Sequence, residues 1–207
     1  MTMQAAKKNR KILVFIDQMQ IGGAARVTSL MLEAIADEYN VTICYDNVKY
    51  STFYNIDNRV KIVPFHVKRR HIPLVSGVVK ELGLAAKARN IIKRESPDVI
   101  ISVTHLVFSQ VYIGSIGLNI PIIAYDHTSF SRDLGLIQNF IRRRLYKRAT
   151  KVILLTQKDR EMMSSTLKNS CVVYNPLTFT PSYEPHKREK WVLCVGRLNS
   201  WYIKGLD

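Results

Sequence analysis

Short apolar runs alternate with longer amphipathic segments along most of this 207-residue chain. The first run, residues 12–16, is rich in β-branched residues and is typical of a strand buried on both faces. It is followed by a turn at Gly22 and Gly23, and then by apolar residues spaced as on one face of a helix. Strand, turn and helix in this order predict the first half of a βαβ unit.

The same alternation continues to residue 174 and predicts seven strands. They cover residues 12–16, 41–45, 60–65, 99–103, 121–125, 152–155 and 171–174. Helices are predicted after Gly23 and at residues 73–94, 106–118, 134–148 and 159–167. Because strands and helices alternate, we predict an α/β fold, a Rossmann-like parallel sheet with helices on both faces.

The alternation stops after residue 174, and this change predicts a domain boundary. Residues 176–189 contain three prolines, show no periodicity and end in a charged run. We therefore predict a Rossmann-like domain over residues 1–178 and a linker over residues 179–189. Residues 190–207 are interpreted as the first strand and loop of a second domain.

Polar residues follow several of the predicted strands. Ligands of parallel α/β sheets bind outside the carboxyl ends of the strands, so this edge is the predicted ligand site. The residues expected there are 18–23, Asp46, Asn47, Thr104, His105, Asp126, His127, Thr128, Thr156, Gln157, Asn175 and Pro176.

The charge of the chain favours an anionic partner. Lysine and arginine number 31 against 16 acidic residues, a net charge of +15. This balance is typical of proteins that bind nucleic acid, an anionic membrane or phosphorylated substrates. Three scattered cysteines, Cys44, Cys171 and Cys194, are predicted to be buried, reduced thiols, which favours a cytoplasmic location. No spacing of histidine and cysteine matches a zinc site, so no metal is expected.

Basic residues are concentrated in one predicted helix. They are Arg142, Arg143, Arg144, Lys147, Arg148 and Lys151. Apolar residues of the same helix form a stripe, namely Ile137, Phe140, Ile141 and Leu145. A solvated face is one interpretation, and an anionic membrane surface bound through Arg142, Arg143, Arg144, Lys147 and Arg148 is the other. Nucleic-acid binding is not predicted, because no recognised motif and no aromatic platform accompanies the charge.

Several short motifs, in this order along the chain, resemble the retaining glycosyltransferases of family 4. They lie at residues 22–26, 126–128, 144–149, 152–156, 174–177, 195–198 and 204–207. The resemblance implies the two-domain GT-B fold, with catalysis in the cleft between two Rossmann-like domains and the donor bound mostly to the second. It covers the N-terminal domain and only the start of the C-terminal domain, so the chain looks truncated.

The resemblance also implies roles for single residues. Arg197 and Lys204 would bind the donor diphosphate and stabilise the charge of the leaving nucleotide without a metal. Gly22 and Gly23 would approach the same diphosphate, and His127 would contact the donor sugar as a polar group. Three plainer interpretations remain open: the glycines form a tight turn, His127 is a structural histidine, and Arg197 is a surface charge.

Three departures from the family pattern stand out. Ala25 replaces a frequent glutamate, and Asp126 replaces the glutamate that often precedes the histidine. No two glutamates of this chain are separated by seven residues, so the family's donor-side Glu-x7-Glu motif is missing.

The implied function is that of a glycosyltransferase of the hexosyltransferase type. It would move a sugar, with retention, from a UDP- or GDP-linked donor to a saccharide or lipid-linked acceptor in capsule, exopolysaccharide or lipopolysaccharide biosynthesis. A fragment of this length is expected to be inactive alone, and to lie in the cytoplasm or on the inner face of the membrane. The alternatives are a nucleotide-sugar epimerase of the same fold and a non-catalytic, basic Rossmann-like binding module.

Overall fold

The computed structural model describes residues 9–46, 52–65, 74–177, 179–181 and 190–191, with the backbone alone at 74–78 and 80. Contacts within the chain divide it into residues 1–176 and residues 177–207. The helices and strands of the described residues all lie in the first of these parts.

Seven strands of the described residues form one parallel sheet. The strands are β1 Lys11–Phe15, β2 Asn40–Tyr45, β3 Lys61–Pro64, β4 Val99–Val103, β5 Ile122–Tyr125, β6 Lys151–Leu154 and β7 Ser170–Val172. Their order is β3-β2-β1-β4-β5-β6-β7, and every neighbouring pair is parallel. The helices are α1 Gly23–Ile35, α2 Leu74–Glu95, α3 His105–Ser115, α4 Leu136–Arg144 and α5 Gln157–Met163. The predicted Rossmann-like α/β fold is confirmed.

Residues of β1 alternate between two hydrophobic cores, one on each face of the sheet. Leu13 and Phe15 pack in a core with residues of α2 and α3, whereas Val14 packs in the other core with Leu32 of α1. All four side chains are fully buried. Successive side chains of a strand point to opposite faces, so a strand covered on both sides must be apolar at every position.

Helices α2 and α3 pack closely at Gly114. A Cβ atom added there would lie 2.6 Å from the carbonyl oxygen of Ala85 in α2. Arg89 of α2 donates hydrogen bonds to the carbonyls of Gly114 and Ile116, at 3.1 and 2.7 Å. These bonds satisfy carbonyl groups at the end of α3 that have no partner within the helix.

Several helix boundaries differ from the prediction for local reasons. The helix predicted over 106–118 ends at Ser115, because Ile116 and Gly117 form a turn in which Gly117 has a φ of 77°. The helix predicted over 134–148 ends at Arg144 and continues as a 3₁₀ turn, Leu145–Arg148. The helix predicted from residue 159 begins at Gln157, because the Thr156 hydroxyl accepts a hydrogen bond from the Asp159 N–H and caps it.

The two cysteines that the structure describes carry free thiols. Cys44 is buried and Cys171 is partly buried, and burial raises the pKa of the Cys44 thiol to about 12. Cys194, most of the predicted linker and nearly all of residues 190–207 lie outside the described residues. Among the helices described, none is both long enough and apolar enough to cross a lipid bilayer.

Candidate functional site

The strand order has a switch point at the predicted ligand edge. Strands β1 and β4 are neighbours, although β2 and β3 separate them in the chain, and the order of the strands reverses between them. In open α/β sheets the connections leaving such a pair go to opposite faces, and ligands bind between them. The loop after β1 and the start of α3 therefore border the candidate site.

Gly22 and Gly23 lie where the loop after β1 enters α1. Gly22 has a φ of 169°, which is ordinary extended backbone, and no side chain caps the helix. A Cβ at Gly23 would meet no heavy atom within 4 Å. Neither the packing nor the backbone requires glycine at position 23. Open space beside the N–H groups of a first helical turn suits an anion.

Thr104 joins the ends of three strands. Its N–H donates to the Tyr125 carbonyl at 2.9 Å, and its hydroxyl makes a long hydrogen bond of 3.5 Å to the Asp17 carboxylate. Its φ is 72°, a left-handed conformation that a β-branched residue rarely adopts. Such strain persists only where the surroundings hold it in place, and it is frequent at functional sites.

His127 follows β5 at the same edge. Its ring lies against the Tyr125 ring, with 4.2 Å between the centroids. Burial lowers the pKa of His127 from 6.5 to about 4, although the Asp126 charge opposes the shift, so the imidazole is neutral at pH 7. Its Nε2 atom is buried and has no hydrogen-bond partner in the described part of the chain. A neutral imidazole that a ligand can reach can form a hydrogen bond with it, but it supplies no positive charge.

Asp126 holds the backbone on either side of His127. Its Oδ2 accepts a hydrogen bond from Arg142 Nε at 2.8 Å, and its Oδ1 accepts one from the Thr128 N–H at 2.9 Å. Arg142 also donates to the Thr128 carbonyl. The loop that carries His127 is therefore bonded to α4 through both Asp126 and Thr128.

The prediction that Arg142 belongs to a membrane-facing surface is wrong. Its side chain is 1% exposed, and its guanidinium carbon lies 3.6 Å from the centroid of the Phe130 ring. A buried charge needs an opposite charge beside it, and Asp126 supplies that charge. The other four residues of the predicted surface are exposed, namely Arg143, Arg144, Lys147 and Arg148.

Two more buried groups surround the Asp126 carboxylate. His105 Nδ1 lies 4.0 Å from Asp126 Oδ1, an electrostatic contact that is too long for a hydrogen bond. Burial, with the Asp126 charge adding, raises the pKa of the Tyr146 hydroxyl well above its ordinary value. Burial alone would raise the pKa of Asp126, but His105, the Arg142 charge and the Thr128 N–H outweigh it and lower the pKa. Asp126 is therefore a carboxylate at neutral pH.

Asp159 fixes the next part of the same loop. From the first turn of α5 it accepts hydrogen bonds from the Ser129 hydroxyl at 2.9 Å and the Phe130 N–H at 2.8 Å. It also accepts a hydrogen bond of 2.6 Å from the Thr156 hydroxyl. Thr156 was among the residues predicted at this edge, whereas Asp159 was not. The Thr-x-x-Asp spacing at the start of a helix is the signal that points to it.

Only some of the predicted site residues lie in the part of the chain that the structure describes. The two glycines and His127 lie at the carboxyl edge, on either side of the end of β4. Arg197 and Lys204 lie outside the described residues. Among the residues described, no group of three or more histidines, cysteines, aspartates or glutamates could hold a metal ion.

Comparison with protein families gives one match over most of this fold. The model of Glycosyltransferase Family 4 matches residues 21–178, which is more than half of the chain. The matched range begins just before Gly22 and includes His127 and Arg142.

A Campylobacter jejuni protein is 26% identical to this chain over 195 residues. It is named GalNAc-α-(1→4)-GalNAc-α-(1→3)-diNAcBac-PP-undecaprenol α-1,4-N-acetyl-D-galactosaminyltransferase. The alignment covers 91% of this chain and 53% of that protein. The chain thus spans about half the length of this relative.

Two solved structures share the fold at low identity. HepE of Anabaena, in complex with UDP and glucose, has a TM-score of 0.60 and 16% identity, covering 82% of this chain and 45% of that chain. The lipopolysaccharide outer core galactosyltransferase WaaB has a TM-score of 0.62 and 15% identity, covering 87% of this chain and 50% of that chain. At such identities the likeness shows the fold alone.

Proposed function

Because the chain belongs to glycosyltransferase family 4, we propose that it transfers a sugar from a nucleotide-sugar donor to a saccharide or lipid-linked saccharide acceptor. The match of the family model to residues 21–178 carries this proposal. The acceptor class is supported by the name of the Campylobacter jejuni relative, which acts on an undecaprenol-linked saccharide. Assembly of capsule, exopolysaccharide or lipopolysaccharide, at the inner face of the cytoplasmic membrane, is the setting that we propose for such an acceptor.

We propose the following division of roles in the transfer. The bond between the anomeric carbon and the diphosphate oxygen breaks, and its electron pair leaves with UDP or GDP. A bond forms from the same carbon to an acceptor hydroxyl oxygen, and the hydroxyl proton passes to the departing diphosphate. Arg197 and Lys204 stabilise the negative charge of the departing diphosphate without a metal, because fixed cations favour the transition state over the bound donor. The amides near Gly22 and Gly23 approach the same diphosphate, which the open space at Gly23 permits.

His127 is proposed to orient the donor sugar. Its neutral, partly exposed ring suits a hydrogen bond to a sugar hydroxyl, and a pKa of about 4 makes it a poor general acid at pH 7. The Asp126–Arg142 pair would keep His127 in place during the reaction. A polar contact that does not form a covalent bond to the sugar is compatible with the proposed retention of configuration.

The test compares the 207-residue chain with the longest polypeptide that its gene region encodes. Each is incubated with radiolabelled UDP- and GDP-sugars, with and without undecaprenyl-diphosphate-linked saccharides. We expect labelled lipid from a polypeptide that carries the Glu-x7-Glu motif, and background transfer from the 207-residue chain, which lacks it. The anomeric configuration of the product, measured by NMR, tests retention.

The other outcomes separate the alternative functions. An epimerised donor formed without acceptor would replace the transferase proposal by an epimerase. Donor binding without turnover by the longest polypeptide would support a non-catalytic binding module. Transfer by the 207-residue chain at the rate of a complete family member would contradict its expected inactivity.

A further inference from the structure

The outward side of α4 exposes three large apolar side chains. Leu136 is 91% exposed, Ile137 67% and Phe140 56%. Phe140 is three residues from Ile137 and four from Leu136, the spacings at which side chains are neighbours on a helix. These three residues, named here the α4 patch, form a continuous apolar surface in water. Such surfaces mark sites of interaction.

Three arginines border the α4 patch. A groove of about 500 Å³ is lined by Arg132, Arg143 and Arg144 together with Leu136 and Phe140 of the patch. All three arginines are exposed, and none forms an ion pair with a carboxylate in the described part of the chain. The groove therefore presents positive charge directly beside apolar surface.

One acidic residue, Asp133, also lines this groove. Its Oδ1 accepts hydrogen bonds from the Gly135 N–H at 2.9 Å and from Asn139 Nδ2 at 2.6 Å. These bonds lower the pKa of Asp133, so it is a carboxylate at neutral pH. One negative charge against three arginines leaves the groove positive.

The opposite side of α4 fixes the orientation of the patch. Ile141 is 8% exposed and Arg142 is 1% exposed, with the Arg142–Asp126 ion pair beneath the helix. Rolling α4 to bury the patch would pull Arg142 from Asp126 and leave both charges unpaired, which is strongly unfavourable. The ion pair therefore holds these apolar side chains on the outward side of α4.

We propose that the α4 patch inserts into an anionic membrane surface. Leu136, Ile137 and Phe140 enter the boundary of the acyl chains, and the groove arginines contact lipid phosphates. The two layers of a membrane interface match this arrangement of apolar and cationic side chains. A nucleic acid would use only the arginines and leave the apolar residues in water. The surface differs from the one predicted from sequence, because Ile141 and Arg142 are buried, whereas Arg132 and Leu136 belong to it.

Sedimentation of the 207-residue chain with vesicles tests the proposal. The vesicles contain phosphatidylglycerol and phosphatidylcholine, or phosphatidylcholine alone. We expect binding to the anionic vesicles, and a loss of at least about tenfold in the triple variant Leu136→Ser, Ile137→Ser, Phe140→Ser, at low and high salt. The triple variant Arg132→Ser, Arg143→Ser, Arg144→Ser should lose on the order of 100-fold at low salt, and less at about 0.5 M salt.

Matched variants provide the controls. Val79, Leu82 and Ile116 are also exposed apolar residues, and their triple replacement by serine should leave vesicle binding unchanged. Replacing the exposed Lys158, Arg160 and Lys168 by serine removes the same charge elsewhere and should weaken binding much less. Urea midpoints establish that each variant is folded. Failure of the unmodified chain to bind anionic vesicles, or equal binding by the α4 patch variant, would overturn the proposal.

A tryptophan at position 140 distinguishes insertion from surface attraction. In Phe140→Trp, the added emission should shift to the blue on binding and be quenched by brominated lipid. Vesicle binding without quenching would show attraction by charge alone and would reject insertion. The same conclusion would follow if added DNA released the α4 patch variant and the unmodified chain from the vesicles equally.

The membrane surface also bears on the acceptor. The same helix presents the α4 patch outward and holds the His127 loop inward through Arg142. Resting on the proposed function, this arrangement would bring a lipid-linked acceptor towards the candidate site. Vesicle binding needs no catalysis, so the membrane proposal and the transferase proposal can fail separately.

Discussion

Arg142 links the stability of the domain to the geometry of the candidate site. It is a buried cation that contacts Asp126, Thr128 and Phe130, and these residues lie on both sides of His127. A buried ion pair often adds little net stability, but removing one partner leaves an uncompensated charge in the core. Each partner is therefore sensitive to replacement.

We expect Arg142→Met to lower the free energy of unfolding by about 3–5 kcal/mol, because Asp126 would remain buried without its cation. Urea denaturation at pH 7 measures this change. Arg143→Met is the matched control on the exposed side of the same helix, and it should change stability by less than about 0.5 kcal/mol. Similar small effects for both variants would mean that burial of the Asp126 carboxylate does not require Arg142 beside it.

The lowered pKa of His127 predicts that the folded protein loses stability in mild acid. Its folded pKa is about 4 and its unfolded pKa is 6.5, so the unfolded chain binds a proton first as the pH falls. Stability is therefore lost between pH 6.5 and pH 4, by roughly 2–3 kcal/mol over that window. The Asp126 pKa is lowered from 3.8, so the stability that its ionised form provides is lost only below that pH.

The variant His127→Gln isolates the contribution of this residue. Urea unfolding of both proteins at pH 7 and pH 4.5 should show that the variant loses less stability than the unmodified chain. NMR titration of the His127 ring gives the pKa directly. A pKa near 6.5, with parallel pH profiles for the two proteins, would refute the prediction.

At the scale of the elements, we expect the replacement of glycine by alanine to have opposite effects on stability at two helical positions. Gly114→Ala places a methyl group 2.6 Å from the Ala85 carbonyl oxygen, so α2 and α3 must separate. We expect a loss of about 1–3 kcal/mol. Gly83→Ala, in α2, places the methyl where no heavy atom lies within 4 Å. There alanine should stabilise the helix by about 0.5–1 kcal/mol.

Thermal or urea unfolding of the two alanine variants measures both effects. Because the substitution is identical, differences in the unfolded chain largely cancel, and the sign reports the helix packing. A Gly114→Ala variant as stable as Gly83→Ala would mean that α3 is free to move away from α2.

At the scale of the whole molecule, the donor side provides the test of the family roles. In the longest encoded polypeptide, Arg197→Ala should lower kcat by about 10²–10³, because its proposed contact is strongest in the transition state. Arg197→Lys should restore activity only in part, since a point charge does not reproduce the guanidinium fork on phosphate oxygens. Lys204→Ala should act in the same direction, but more mildly.

Steady-state kinetics with donor and acceptor varied separately measure these effects. Arg160→Ala, an exposed arginine on α5, is the control and should leave kcat unchanged. If the Arg197 and Lys204 variants kept full kcat and only the KM for the acceptor rose, the assignment of both residues to the donor site would be wrong.

The sequence by itself determined the fold. The apolar runs and amphipathic segments located all seven strands and five helices of the described residues to within a few positions. This worked because a parallel sheet covered on both faces requires continuous apolar strands, a requirement written in local composition. The carboxyl edge and the position of His127 followed from the same alternation, since every strand of the sheet runs in one direction.

Only the tertiary structure decided which side of α4 faces the core. The sequence suggested a stripe that included Ile137, Phe140 and Ile141, with Arg142 among the solvated cations. In the fold, Ile141 and Arg142 are buried, whereas Ile137 and Phe140 are exposed. Helical periodicity gives the spacing of apolar residues, but it does not decide which face of the helix is buried. Asp126, sixteen residues earlier, makes burial of Arg142 favourable, and that pairing exists only after β5 and α4 have packed.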